Sequence, residues 1–455
     1  MNTNKNGKFG KWIKTSISAR MAIVGFLVIM LLIPLSYIKD LVNERMYRQK
    51  TVVNEINQKW GKEVLVYGPI LKIPYKTYKE TTIYLPETKT HQKETEEIIN
   101  EAYFFPEVLD INATINPESK SRGIYNTAVY KTNINFKGTF TTPDFSDVEI
   151  APKDILWQKA KLIIQTSNVK GVNSKIAIQI HKNSYNFSGN NQNNSQKEHR
   201  NNLFTLESKT IAKNDLPHLN PIDFSLTMNV NGSEQIRFVP IGKETTANIK
   251  SNWKTANFLG EYIPYNPDKI NDNGFDAKWK VLDINRPFAQ QSFNHLPKLT
   301  KYAFGVNFKI PVDEFQKNER ATKYGFLVIA LTFLIFFLIQ TMSKINIHPF
   351  QYLMVGIALI MFYTLLISIT EHSSFLKAYL IAGVAVVALI TLYSKSILKN
   401  TKFPLFIGGS LIILYSFIFV IIQLENYALL VGSIGLFIIL AAVMYASRKI
   451  DWNNG

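Results

Sequence analysis

Six apolar runs constrain this chain more than anything else in its sequence. One, residues 21–38, stands alone near the N-terminus, and the other five crowd the last third, at 325–342, 351–369, 376–393, 403–422 and 427–446. Apart from Lys377 at the start of the fourth run, none holds Asp, Glu, Lys, Arg or His. Each is about the length needed to carry a helix through some 30 Å of hydrocarbon. The pattern predicts six membrane-spanning helices with a long polar stretch between the first and the second.

Loop charges orient the spans, because Lys and Arg concentrate on the cytoplasmic side. Lys5, Lys8, Lys11, Lys14 and Arg20 precede the first run without an acid. Lys344 lies in one short loop, Lys395, Lys399 and Lys402 in another, and Arg448 and Lys449 face only Asp451 at the C-terminal end. The intervening loops carry Glu371 and Glu425. Every loop fits one topology, with both termini cytoplasmic and the long polar region outside. Of the formal +17, the cytoplasmic segments hold +10 and the outer loops −1, which leaves +8 for the exterior region. Most of the excess is therefore an orientation signal and not a nucleic-acid footprint. Tyr37, Tyr324, Tyr352, Tyr393 and Tyr427 suit an interfacial belt.

The first run is followed by SYIKDLVNERM, which offers no small-x-small cleavage site, so an anchor is expected and not a cleaved signal. Leu41, Val42, Met46, Val52, Val53, Ile56 and Trp60 continue at helical spacings to Gly61, a C-terminal stop. The expected organisation is a basic N-terminus (1–20), helix 1 (21–38), an amphipathic stalk (39–61), a β-rich region (62–323), a five-helix bundle (324–446) and a tail (447–455). In the β-rich region Phe224, Leu226, Met228 and Val230 alternate with polar residues up to Asn231–Gly232, and Ile236 and Phe238 follow. That pattern predicts a hairpin turning at Asn231–Gly232. Residues 184–202, rich in Asn, Ser and Gln, are expected to form a mobile loop, and Gly68–Pro69 a turn.

Chemistry is sparse. Without cysteine the chain has no disulfide, thiol nucleophile or Cys-ligated metal. No phosphate-cradling glycine loop, H-E-x-x-H or G-x-S-x-G is present, and the histidines lack ligand spacing. Two boundary groups are candidates: Glu371–His372 at the outer face, and His348 with Gln351 opening a helix at the inner face. A transport path through the spans would need Gln340, Tyr363, Ser368 and Gln423.

A series of strings along the chain resembles the CreD family of bacterial inner-membrane proteins. They are Asn43–Glu44–Arg45, Trp60–Gly61, RGIYNTAVY from Arg122, NGSEQIRFVPIG from Asn231, NGFDAKWKVLDINR ending at Asn285–Arg286, FGVNFKIPVDEFQKNERATKYGFL from Phe304, IHPFQYLMVGIAL from Ile347, and FYTLLISITEH ending at His372. The chain departs from the family pattern at Asn168 and Lys170. The resemblance implies an inner-membrane protein tied to cell-envelope integrity and envelope stress, and carries over no catalytic residue or ligand. Within the strings, Arg122 and Arg286 are expected as buried bidentate partners for acids, with Asn285 beside them. Asp313 is expected just outside the second span.

The resulting expectation is a multi-pass α-helical membrane protein whose six transmembrane helices carry a large β-rich periplasmic domain between helices 1 and 2. It would be non-enzymatic, without cofactor or metal. Its partners would be membrane lipid and other envelope proteins or lipids, not nucleic acid, and its oligomeric state stays open. A transporter or lipid-handling permease is the alternative, and an enzyme working through Glu371–His372 a third reading. A compartment reporter fused after Arg200 should be active only outside the cytoplasm; cytoplasmic activity there would overturn the topology.

Overall fold

The computed structural model describes residues 17–85, 90–189, 203–217, 220–308, 314–343, 345–398, 401–424 and 427–448. Backbone contacts divide the chain into a helical unit, which takes residues up to Thr51 and from Val312, and a β-rich unit, Val52–Pro311. Asp313, Lys344, Glu425 and most of 184–202 lie outside the described residues.

Seven helices are described: α1 (Ile17–Trp60), α2 (Glu314–Lys323), α3 (Gly325–Ser343), α4 (Pro349–Thr370), α5 (Phe375–Leu398), α6 (Lys402–Gln423) and α7 (Ala428–Ser447). All but α2 are long and apolar enough to cross a membrane. Leu27, Leu31, Leu35, Ile38 and Val42 of α1 join one core with Val328 and Phe333 of α3, Leu359 and Tyr363 of α4, and residues of α5 and α6. In α7 no residue is buried. The expected span and stalk are therefore one 44-residue helix.

The β-rich unit contains β1 (Val64–Leu85), β2 (Thr90–Phe104), β3 (Val108–Arg122), β4 (Tyr125–Phe140), β5 (Lys161–Thr166), β6 (Ala177–Ile180), β7 (Asn183–Gly189) and β8 (Phe204–Ser208). β9 (Ile222–Ser233), β10 (Gln235–Phe238), β11 (Glu244–Ser251), β12 (Ala256–Gly260), β13 (Ile270–Asn271), β14 (Gly274–Leu282), β15 (Gln291–Phe293) and β16 (Phe304–Phe308) complete it. They form one continuous sheet in the order β12-β16-β10-β1-β5-β8-β7-β6-β9-β4-β3-β11-β14-β13, with β2 and β15 branching from β1. Pairing is antiparallel except for β1 with β10 and β3 with β11. The sheet curls round one apolar core into a barrel-like form. Its two ends meet through side chains, Phe258 of β12 lying edge-on to Phe275 and Trp279 of β14 at 5.9 and 5.8 Å.

Three local expectations need correction. The Asn231–Gly232 hairpin does not form. β9 runs through both residues, pairing with β4 and β6, and β10 pairs instead with β1 and β16. A single residue, Glu234 with φ +61°, joins the two strands. Gly232 serves packing: a Cβ there would lie 2.4 Å from the ring of buried Tyr130, whose hydroxyl donates to the Gln235 carbonyl at 2.7 Å. Gly68–Pro69 is no turn but lies within β1, where its register with β5 shifts. The loop expected from 184 begins too early, because Asn183–Gly189 is a strand that takes its ladder bonds from β6 and β8.

The C-terminal end of α1 is seated in the β-rich unit. Gly61, with φ +143°, ends the helix, and a Cβ there would meet the Asn231 carbonyl oxygen at 2.6 Å. Asn57 is buried; it donates to Glu234 at 2.7 Å and accepts from the Thr127 hydroxyl at 3.3 Å. Trp60 donates to the Tyr130 carbonyl at 3.3 Å, and Lys170 donates to the Gln58 carbonyl at 2.7 Å, satisfying an orphan acceptor of the last turn.

Gly232→Ala should destabilise the β-rich unit by about 1–3 kcal/mol, the usual range for overpacking a filled core. Thermal unfolding of the purified full-length protein, followed by tryptophan fluorescence, measures this. The loss should shrink in a Tyr130→Leu background.

Candidate functional site

The segment after β4, TTPDFSDVEIAPKDILWQK, forms three short 3-10 turns at Ser146–Val148, Pro152–Asp154 and Trp157–Lys159. Its own polar groups pin it down. Asp144 accepts from the Ser146 amide at 2.9 Å, and that bond holds its carboxyl below the usual range. Asp147 accepts from Gln291 at 2.9 Å, and Asp154 from the Tyr78 hydroxyl at 2.8 Å. The Leu156 amide donates to the Pro74 carbonyl at 2.9 Å. Phe145 packs among Tyr75, Phe104, Phe293 and Trp157, with ring centroids 5.2–6.2 Å away.

Between the turns lies an open cavity of about 600 Å³. Pro143, Phe145, Ile150, Pro152 and Trp157 make its walls, and Ser146 and Glu149 are its polar side chains. Glu149 is exposed, with φ +23°, a backbone region that costs a non-glycine residue energy. Its carboxylate makes no hydrogen bond or ion pair with any described residue. An aromatic and proline-walled recess with one unengaged carboxylate can bind; it holds no nucleophile–base pair. Sequence reasoning missed it, although two prolines, a Phe and a Trp interleaved with acids over 143–157 were visible.

The candidates named from sequence fall elsewhere, and most are engaged structurally. Glu371 forms an ion pair with Arg45 of α1 at 3.2 Å, without the alignment of a hydrogen bond. Its sequence neighbour His372 is exposed. Beside them Thr370 donates to the wholly buried Asn318 at 3.4 Å, Glu314 accepts from the Phe375 amide at 2.8 Å, and Arg320 donates to the Ile422 carbonyl at 3.3 Å. His348 is the N-cap of α4: its Nδ1 accepts from the Phe350 amide at 3.2 Å, and Gln351 reaches back to the His348 amide at 2.9 Å. Pro349 takes the first helical position.

Arg122 corrects an expectation. It is exposed and pairs with Glu55 of α1, because β3 ends at the rim of the sheet. Arg286 is buried but pairs with no acid among the described residues; it donates to the Phe288 carbonyl and to Gln290, and stacks on the Phe288 ring at 4.3 Å. Burial lowers its pKa, opposed by Asp283. Asn285 accepts from the Leu282 amide at 3.1 Å, closing a turn. The four polar residues of the supposed path diverge. Gln340 is buried and accepts from Tyr352 at 2.7 Å, Tyr363 is buried, and Ser368 and Gln423 are exposed.

Two titratable clusters sit inside the sheet. Lys72 donates to Glu207 at 2.7 Å and to Glu101 at 3.2 Å, and Lys161 donates to Glu207 at 3.0 Å. Burial alone would raise the Glu207 pKa, but the bonds from Lys72 and Lys161 outweigh it and hold the carboxyl below its ordinary value. Asp215 behaves alike: burial is outweighed by bonds from Tyr185, Asn183 and His181. Every carboxylate of these clusters has a donor, which marks them as structural.

Six membrane-length helices with a large β-rich insert after the first define a multi-pass membrane protein. The family model described as inner membrane protein CreD matches residues 16–453, and the chain belongs to that family. It is 27% identical over 446 residues to the inner membrane protein CreD of Escherichia coli strain K12, an alignment covering 93% of this chain and 91% of that one. The six apolar helices fit such a multi-pass inner-membrane protein.

Glu207 and Asp215 have depressed folded-state pKa values, so their stabilisation is present above the unfolded carboxyl value of about 4 and is lost as pH falls through the lower folded value. The unfolding midpoint should therefore drop between about pH 5 and pH 3. Glu207→Gln should flatten part of that drop while lowering the midpoint at pH 7; an unchanged acid profile would place the sensitivity elsewhere.

Proposed function

We propose that this protein supports cell-envelope integrity without catalysing a reaction, by binding an envelope component through its β-rich domain. In this reading both termini lie in the cytoplasm and the β-rich domain lies in the periplasm, as the loop charges favour. One observation carries the proposal: the open recess walled by Phe145, Ile150 and Trp157, whose Glu149 carboxylate has no partner among the described residues. Glu371, His348 and Gln351, by contrast, spend their polar groups on capping and ion pairing.

A lipid-handling permease has one observation in its favour. An apolar groove of about 660 Å³ between α5 and α6, bordered by Leu380, Val384, Ile412 and Phe419, is wide enough for an acyl chain.

Filling the recess separates the two. Ala151, exposed at its border, can be changed to Trp without touching either unit's core. Ala151→Trp should leave insertion and the unfolding midpoint unchanged yet fail to restore envelope-stress resistance to a strain lacking the protein. Full restoration by Ala151→Trp, with loss on Gly383→Leu in the α5–α6 groove, would favour the permease.

A further inference from the structure

The recess has a charge as well as a shape. Between residues 141 and 159 the acids are Asp144, Asp147, Glu149 and Asp154, against Lys153 and Lys159, so the segment carries −2 in a chain of +17. Three of the four acids are consumed by the fold: Asp144 by the Ser146 amide, Asp147 by Gln291 and Asp154 by the Tyr78 hydroxyl. Glu149 is left, bordering the cavity and held at positive φ between Val148 and Ile150. A carboxylate bordering a cavity walled by Trp157 and Phe145 is the chemistry that receives a cation: the charge meets the carboxylate, and a methylene stem packs on the aromatic and apolar walls. Ile150, Pro143 and Pro152 supply such walls. An anionic ligand would face the segment's net negative charge.

Resting on the binding reading above, we propose that the occupant is a lysine or arginine side chain presented by a segment of a partner polypeptide. A cavity of about 600 Å³ exceeds what one such side chain fills, which leaves room for its neighbours along a peptide. Ser146, Glu149, Ala151 and Pro152 are exposed at its rim, where that segment would enter.

The test uses the full-length protein in its own membrane, with the photoreactive residue p-benzoylphenylalanine replacing Ile150. Crosslinked peptides are mapped by mass spectrometry with Glu149 intact, with Glu149→Gln and with Glu149→Asp, after unfolding midpoints have confirmed that each variant folds. The expected result is crosslinks centred on Lys or Arg of one polypeptide segment, reduced about tenfold by Glu149→Gln and less by Glu149→Asp. N-acetyl-lysine methylamide should compete, and its norleucine counterpart should not. Crosslinks that ignore Glu149→Gln, or that centre on segments without Lys or Arg, would overturn the cation while leaving a binding domain in place. Crosslinks to lipid alone would overturn the polypeptide source. An absence of any crosslink, with Ala151→Trp fully functional, would overturn the binding reading itself.

Discussion

The structure hangs on how α1 ends. A helix terminus leaves its last carbonyls without partners and must find them elsewhere. Here the last turn is met by Lys170, its Asn57 side chain is taken by Glu234 and Thr127, and Gly61 lets the chain leave against Asn231. The same 44-residue helix starts among the membrane spans, where Leu31 and Leu35 pack into the bundle core. The helix thus contributes residues to both units, and its ladder lacks one bond at Pro34, which has no N–H to donate. Removing the Asn57 amide would leave the buried Thr127 hydroxyl short of a partner, a costlier loss than one surface contact.

Much of this could be read from the residues. The six spans follow from length and the absence of charge, and both signals are insensitive to tertiary detail. Gly61 as a helix stop was also legible, since a glycine after Trp60 in an amphipathic run has few other uses. Alternation from Phe224 to Val230 correctly marked a strand. What failed was the step from strand to partner. Asn-Gly at 231–232 carries the local code for a tight turn, yet the barrel-like sheet needs the chain to continue, and Gly232 is spent on clearing the ring of Tyr130. Local turn chemistry yields where a large buried side chain from a neighbouring strand claims the space.

The candidate residues show the same limit. Glu371 and His372 are adjacent in sequence, but at the end of α4 they point to different surroundings, and the partner of Glu371 is Arg45, more than three hundred positions away. Arg286 invited a carboxylate and found carbonyl and amide oxygens instead. The Phe145–Trp157 recess was illegible for a different reason. Its walls come from one segment, but its shape comes from what that segment is tied to: Tyr78 and Pro74 on β1 and Gln291 on β15. Composition shows which side chains are available and not which of them remain unengaged.

The parallel pairing of β1 with β10 also sets an order of events during synthesis. Val64 is laid down early, yet its ladder partner Ile236 emerges only after every intervening strand. At 5–20 residues per second the first strand waits on the order of ten seconds for its neighbour. Over that interval Val64, Leu65 and Val66, all buried in the finished sheet, lack the cover of β10, although β5 reaches Val66 earlier. The nascent chain is therefore more exposed to sticking before β10 arrives, as slow, non-local pairing of this kind entails.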